Sequence, residues 1–408
     1  MQQGKEHWQG RNLLVQTMAV VLVACAMMLW GCAPQANTPV SGSAGASASA
    51  SASAMATSQE PPVIEGLTFD HAMDLQYADR FAVYYYDGGF KVIRVVDDVD
   101  YLLVPEGASA PAKLPKGMTV MQGPLDSIYL CATATASLFD AIDSLDTVKF
   151  TGTTADSWSI DCMRNAVNDG SIAYAGKYSA PDYERLVSGR CDLALESTMI
   201  LHAPEVQEAI EKLDIPVFIE HSSFEGEPMG RVEWVKAIGA LIDREDAAQA
   251  YFDEQAKVMT EMEQYANTDK TVAYFSVNST GQVIVRRPGD FVAKSINIAG
   301  GKYAFPDLDD SGTMSTLKMS MEQFYATAVN VDYLVYNGTI EASLSSIQDL
   351  VDLDATFADY KAVREGHVWT VDKDMYQSTD KIAAMIEDFH ILVTDGAESD
   401  MTFLHKVN

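Results

Sequence analysis

The hydrophobic pattern divides the chain into a β-rich start and two stretches of alternating strands and helices. "RFAVYYYDGGFKVIRVV", Arg80–Val96, sets two runs rich in Val, Ile and Tyr around Asp-Gly-Gly and predicts a β-hairpin. "YLLVP", Tyr101–Pro105, adds a third strand, so residues 63–120 read as a β-rich N-terminal extension. From residue 121 the pattern changes. "SIYLCAT", "TVKFTGT", "CDLALE" and "IPVFIEH" are short apolar runs, and "ATASLFDAIDSL", "DYERLVSG" and "PEVQEAIEKL" between them have helical spacing. Strands alternating with helices predict a mainly parallel sheet covered on both faces.

From Glu233 to about Tyr265 only Gly239 interrupts helicity, and Trp234, Ile238, Leu241 and Ile242 fall on one side. A helix of that length runs ~45–50 Å, with Asp243 as the place where it would bend or break. Beyond it the alternation resumes with "TVAYFSV", "FVAKSINIAG", "YLVYNGTI", "ATFADYKAV" and "HVWTV", and Lys381–Val393 forms a closing helix. The expected fold class is α/β. Two Rossmann-like lobes, 121–232 and 267–408, with mainly parallel sheets, are joined by one long α-helix over 233–266.

Two stretches share one layout. "SAPDYERLVSGRCDLALESTMI" and "LKMSMEQFYATAVNVDYLVYNGTI" each carry an acidic residue early in a short helix, then an Asp, then an apolar strand ending in polar residues and Ile. Glu184 precedes Asp192 by eight residues, and Glu322 precedes Asp332 by ten. The repetition predicts a degenerate internal duplication, with Glu184 and Glu322 in corresponding places.

The rest of the chain sets the surroundings. Lys5 and Arg11 precede an apolar run, Leu13–Leu29, that stops at "LWGC"; residues 1–32 read as a secretory signal, too short for a membrane span. The Gly31–Cys32 pair is similar to a bacterial lipoprotein signal, in which Cys32 is lipidated; an ordinary signal peptide or an uncleaved anchor is the alternative. Residues 33–62 are small and polar, lack aromatics, and read as a disordered linker. A coil of that length spans roughly 30 Å, enough to hold a folded body off a membrane. The formal net charge of -30 should repel the folded body from nucleic acid and from anionic lipid, and it excludes nucleic acid as a partner. Beyond the signal only Cys131, Cys162 and Cys191 remain, with no CxxC; one disulfide with a free thiol, or three free thiols, fits that count.

Several stretches taken together resemble the substrate-binding proteins of bacterial ABC importers for iron-siderophores, haem and cobalamin, the class III periplasmic binding proteins. "GKYSAPDYERLVSGRCDLALES" is similar to that family's glycine, Pro-Asn/Asp, Glu and Asp-Leu strand, and "LDIPVFIEHSSF" to its Gly-Ile-Pro-Val strand, with Asp214 in place of Gly. "GRVEWVKAIGALIDREDAAQAYF" is similar to the start of its inter-lobe helix, and "NIAGGKYAF" to its Ala-Gly-Gly turn. The resemblance runs from about Gly123 to the C-terminus and leaves the β-rich extension as a decoration. It implies that Glu184 and Glu322 form salt bridges with arginines of a membrane permease. Without it, both are plain first-turn acids favoured by the helix dipole.

In open α/β sheets ligands bind beyond the carboxyl ends of the strands. That places Thr133 and Thr135, then Glu196, Ser197, Thr198 and Met199, then His221 and Ser222 in a cleft of the first lobe, and Asn278, Arg286 and Arg287 in the second. An arginine pair suits carboxylate, catecholate or haem propionate groups through its planar donors. The alternative pairs one of the two with Asp290 and leaves the other solvated. His221, with Glu196, could coordinate iron or a corrinoid metal; a lone loop histidine also serves as a hydrogen-bonding group. Glu196, His202 and His221 fall one ligand short of a bare transition-metal site. No GxSxG, HExxH, GxGxxG or P-loop pattern occurs, so no catalytic residue is assigned and no cofactor is expected. The expected protein is a lipid-anchored monomer on the extracytoplasmic face of the cell membrane. It would carry a small-molecule metal chelate (iron-siderophore, haem or corrinoid) to an ABC permease and its ATPase.

Overall fold

The computed structural model describes residues 60–96, 99–311, 315–339, 344–371 and 373–408. The leader with Cys32, the linker as far as residue 59, and Asp97–Asp98 lie outside these residues.

The extension is a five-stranded sheet in the order β1 (Phe69–Ala72), β2 (Phe81–Tyr86), β3 (Lys91–Val95), β4 (Val99–Val104) and β5 (Thr119–Gln122). The predicted hairpin is β2–β3, turning at Asp87–Gly89, where Gly88 and Gly89 take φ of 75° and 83°. That left-handed region is open to glycine without steric cost. Strand β1 escapes the hydrophobic pattern because all four of its residues are exposed. The sheet is more than a decoration, because Phe81, Val83, Ile93, Leu103 and Met121 belong to the same core as the central helix.

The first lobe runs β6 (Ile128–Leu130), α1 (Ala136–Ala141), β7 (Val148–Thr151), α2 (Asp161–Asp169) and β8 (Ala173–Tyr174). A small hairpin follows, β9 (Gly176–Lys177) with β10 (Ala180–Pro181), then α3 (Tyr183–Ser188), β11 (Leu193–Ser197), α4 (Pro204–Glu211) and β12 (Val217–Glu220). Its sheet, in the order β12-β11-β6-β7-β8, is parallel throughout.

The connection between the lobes is not one long helix over 233–266. It is two helices, α5 (Pro228–Leu241) and α6 (Glu245–Met262), that fold back on each other. Lys236 Nζ lies 4.3 Å from the ring centroid of Phe252. In a straight helix residues so spaced are ~24 Å apart. The chain reverses at Asp243, whose φ is 57°, a conformation Asp tolerates better than most residues. Gly239 permits the close approach, since a Cβ there would stand 2.7 Å from that of Ala248. Helix α5 is buried on nearly every face, with its Glu233 and Lys236 paired to each other at 2.9 Å.

A strap of the extension, residues 74–80, is held across α5 by two buried carboxylates. Glu233 accepts the amides of Gln76, Tyr77 and Ala78, each at 2.8 Å, and pairs with Lys236 at 2.9 Å. Glu225 accepts the amides of Asp79 and Arg80 at 3.0 Å and the Trp234 indole N–H at 2.9 Å. Burial pushes the Glu225 carboxyl up to about 7.

The second lobe contains β13 (Thr271–Val277), β14 (Val283–Arg286), α7 (Phe291–Ile298), β15 (Lys302–Tyr303), β16 (Thr316–Met319) and α8 (Met321–Ala328). It continues with β17 (Tyr333–Asn337), α9 (Ile347–Leu353), α10 (Lys361–Glu365), β18 (Val368–Val371), α11 (Ile382–Val393) and β19 (Leu404–Lys406). Strands β13, β15, β17 and β18 are parallel; β14 runs antiparallel between β13 and the edge strand β16, and β19 runs antiparallel to β18 at the other edge. The fold is therefore α/β with two mainly parallel lobes. Cys131, Cys162 and Cys191 are all free.

Candidate functional site: the seam between the lobes

The carboxyl ends of the first-lobe strands meet the second lobe. Gln377 accepts the amide of Ser159 at 2.7 Å and donates to the Ser157 carbonyl at 3.1 Å. The Asp380 amide donates to Ser137 Oγ at 3.3 Å, and Lys294 pairs with Glu227 at 2.7 Å. These contacts place the turn after β12 against the start of α7, and the segment after β18 against the loop after β7.

Within this seam stand two arginines. Arg231, in the first turn of α5, donates to the carbonyls of Ser223 and Glu225, and its guanidinium carbon lies 3.7 Å over the ring of Phe291 from the other lobe. Burial pulls it down to about 10, against the opposing pull of Asp290, Glu220 and Glu225. Arg286 is 7 % exposed, and its guanidinium carbon sits 5.4 Å and 5.7 Å from the ring centroids of Tyr376 and Tyr274. Among the described residues it makes one long hydrogen bond, 3.4 Å to Ser315 Oγ, and its nearest carboxylate there is Asp290 at 3.8 Å. A guanidinium carries five N–H donors, so most of this one's capacity is unspent. The hydroxyls of Tyr274 and Tyr376 also have no hydrogen-bond partner among the described residues.

Arg287 does not share that pocket. The two arginines follow one another on an extended strand, which points successive side chains to opposite faces. Arg287 is bound to the carbonyl and carboxylate of Asp309. Neither arginine is solvated, and the pair lies on and just past β14, which returns antiparallel from the turn at Asn278. The Asn278 carboxamide oxygen accepts the amides of Thr280 and Gln282, so this side chain shapes the turn.

In the first lobe the candidates separate. Thr133 and Thr135 form the turn after β6, and the Thr135 hydroxyl is spent on the Ala132 carbonyl at 2.9 Å. Glu196 is wholly buried near the end of β11, and neither of its oxygens has a well-directed donor. Burial pushes its carboxyl up to about 8, against a smaller effect of the adjacent Cys131 thiol. It faces the outer core with Tyr129 and Ala194 rather than the seam. Ser197 accepts the Met199 amide at 3.4 Å and caps the turn Thr198–His202. Met199 is exposed, as are Leu201 and Phe224, and His221 lies 6.1 Å from the Phe224 ring. Ser222 is buried, and its amide donates to Glu220 at 2.7 Å. Among the described residues no three His, Cys, Asp or Glu side chains converge at metal-ligand spacing, so Glu196, His202 and His221 are not gathered into a site.

Glu184 and Glu322 are exposed at the second positions of α3 and α8. Sequence reasoning passed over Arg231, Tyr274, Tyr376 and Phe291. Arg231 had a signal, as a cation in the first turn of a helix whose other charged residues, Glu233 and Lys236, pair with each other.

The sequence model of the family described as periplasmic binding protein matches residues 131–375, and the chain belongs to that family. An uncharacterized lipoprotein of Methanocaldococcus jannaschii is 22% identical over 332 residues, which cover 74% of this chain and 77% of the relative. Among solved structures, a periplasmic haem-binding protein of Vibrio cholerae superposes with a TM-score of 0.53 at 13% identity, over 65% of this chain and 98% of that one. A petrobactin-binding protein of Bacillus subtilis gives 0.51 at 17% identity, over 66% and 92%. At such identities the likeness is one of fold. The family match begins at Cys131 and so leaves out the β-rich extension.

Proposed function

We propose that this protein is the substrate-binding component of an ABC importer. Held by lipid on Cys32 at the outer face of the membrane, it captures a metal chelate between its lobes and presents it to a permease through Glu184 and Glu322. The observation that carries the reading is Arg286: a buried guanidinium with unspent donors, set between two tyrosines whose hydroxyls are also unspent, in the seam of a periplasmic binding protein fold. Such a group suits a carboxylate, catecholate or propionate oxygen on a chelate. Exposed Met199, Leu201 and Phe224 at the ends of β11 and β12 suit its flatter apolar part. The family and the haem- and petrobactin-binding structures that share its fold support siderophore-bound iron or haem as cargo, with a corrinoid as the other candidate. The lipoprotein relative supports the anchor. The rigid packing of α5 against the extension and α6 supports a small closure on binding.

Intrinsic Trp and Tyr fluorescence of the mature body, titrated with ferric siderophores, haem, cobalamin and bare divalent ions, tests this reading. Saturable quenching by one chelate at submicromolar concentration is the expected result. A response to bare metal alone, or to nothing in the series, would remove the chelate from the proposal.

A further inference from the structure

Asp290 occupies an unusual position in the seam. One carboxylate oxygen accepts the Val292 amide at 3.0 Å and caps α7. The other points at Arg286 from 3.8 Å, beyond hydrogen-bond distance but near enough to neutralise it. The side chain is 1% exposed, so water contributes little to its stabilisation. Its charge also faces Arg231, whose guanidinium rests on the ring of the next residue, Phe291. The other carboxylates nearby are engaged elsewhere: Glu225 by backbone amides of the strap, Glu220 by the Ser222 amide.

Resting on the cargo reading above, we propose that Asp290 sets the charge specificity of the seam. It acts as a resident counter-ion to Arg286 that an oxyanion on the outer face of the chelate displaces. Displacement needs no movement of Asp290 away from positive charge. It keeps its helix cap and remains beside Arg231, so no buried ion is left unpaired, the condition under which breaking a buried pair is costly. The incoming oxyanion takes the unspent guanidinium donors and the hydroxyls of Tyr274 and Tyr376. An uncharged chelate gains none of this and leaves the Arg286–Asp290 pair as it stands. The site therefore selects chelates that carry carboxylate or similar oxyanions over neutral ones.

The test is Asp290→Asn in the mature protein, because Asn is also a good helix cap and removes only the charge. Ferric citrate and haem serve as carboxylate-bearing probes, and ferrichrome as an uncharged one. The expected result is at least tenfold tighter binding of whichever carboxylate-bearing chelate the wild type binds, with ferrichrome changed less than twofold. Adding Arg286→Gln should abolish that gain. A gain that survives Arg286→Gln, an equal shift for charged and uncharged chelates, or no shift would overturn the inference and leave the cargo reading intact. If neither protein binds any chelate, the cargo reading fails and the inference with it. Asp290→Ser, which also caps without charge, replaces the Asn variant should that one fold poorly.

Discussion

In the first lobe the carboxylate of Asp192, just before β11, accepts the amides of Asp126 and Ser127 at 2.8 and 2.9 Å, and so clamps the start of neighbouring β6. In the second lobe Asp332, just before β17, accepts the amide and hydroxyl of Thr271 at 2.8 and 2.9 Å, and clamps the start of neighbouring β13. Each Asp also returns its own amide to the strand it clamps. Each follows a short helix with a capped N-terminus, by Asp182 in one copy and by a Ser320–Gln323 capping box in the other. The frame is thus repeated down to individual hydrogen bonds, yet the electrostatics differ. Desolvation raises the Asp192 carboxyl above the usual carboxylate range, although two amides oppose it. Asp332 is desolvated too, but Lys361 at 2.7 Å and Thr271 outweigh that, and its carboxyl lies below the usual range. The same clamp is a mild liability when its charge is unmatched and a stabilising contact when a cation stands beside it. Four residues further on, the copies diverge again, to buried Glu196 in one lobe and to Tyr336, packed edge-on to Phe275, in the other.

The largest effect is expected from breaking the clamps. Asp332→Ala strands the Thr271 donors and removes the partner of the half-exposed Lys361 ammonium, and should cost about 2 kcal/mol at neutral pH. Asp192→Ala strands two amides but also removes an unmatched buried charge, and should cost about 1–2 kcal/mol. The sign with pH separates them. A depressed folded-state value means stability that is present above the ordinary Asp value and lost as pH falls through the lower one. The Asp332 contribution should therefore vanish only in strong acid, whereas the raised value of Asp192 means a contribution that weakens as pH rises. Urea denaturation of both variants across pH measures this; equal losses with equal pH dependence would show that Lys361 does not distinguish the copies.

The next effect is a gain. Glu196, held at about 8 in the folded protein against 4.5 unfolded, gives stability that is complete below the unfolded value and is lost as pH rises through about 8. Glu196→Gln has nearly the same shape and nothing to ionise. The variant should match the wild type at pH 5 and exceed it by about 2 kcal/mol near pH 8, a discounted share of that displacement. Thermal melts at the two pH values check it. A wild type whose advantage grows with pH would mean that Glu196 is ionised and paired in a way the buried geometry does not provide.

These differences explain what could be read in the linear chain. The frame was legible because it rests on local rules: apolar runs bounded by helices, an Asp at each strand start, and glycines where the hairpin turns. The reversal between α5 and α6 was harder to see, because a buried helix carries no amphipathic stripe to show where it stops, and only Asp243 marks the turn. The seam was half legible. Arg286 stands out in an acidic chain, but its separation from Arg287 follows from strand alternation on β14. Tyr274, Tyr376 and Arg231 come from three distant segments, and nothing in their local sequence announces that they meet. Glu196 lies at a strand end, as expected of a ligand-facing residue, yet its side chain points to the outer core with Tyr129 and Ala194.

The smallest effect on the isolated protein should come from the pair of first-turn acids, Glu184 and Glu322. They occupy the same position of corresponding helices, and both are exposed. The Ser320 hydroxyl, followed by the local backbone, draws the Glu322 carboxyl below its usual range. No neighbour depends on either side chain for burial, so replacing both with Ala should leave the melting temperature and the chelate affinity (within about twofold) unchanged, as exposed helix-terminal charges allow. Their proposed work is outside the molecule, where each carboxylate would meet a permease guanidinium in a directional, bidentate contact. Two such contacts at a fixed separation define an orientation that one does not. Chelate uptake by cells carrying the anchored protein should therefore fall partly with either single variant and be lost with both. The Glu184 and Glu322 variants should be equally impaired if the copies are equivalent in docking as they are in frame. Undiminished uptake in the double variant would return both residues to the role of ordinary helix-terminal acids.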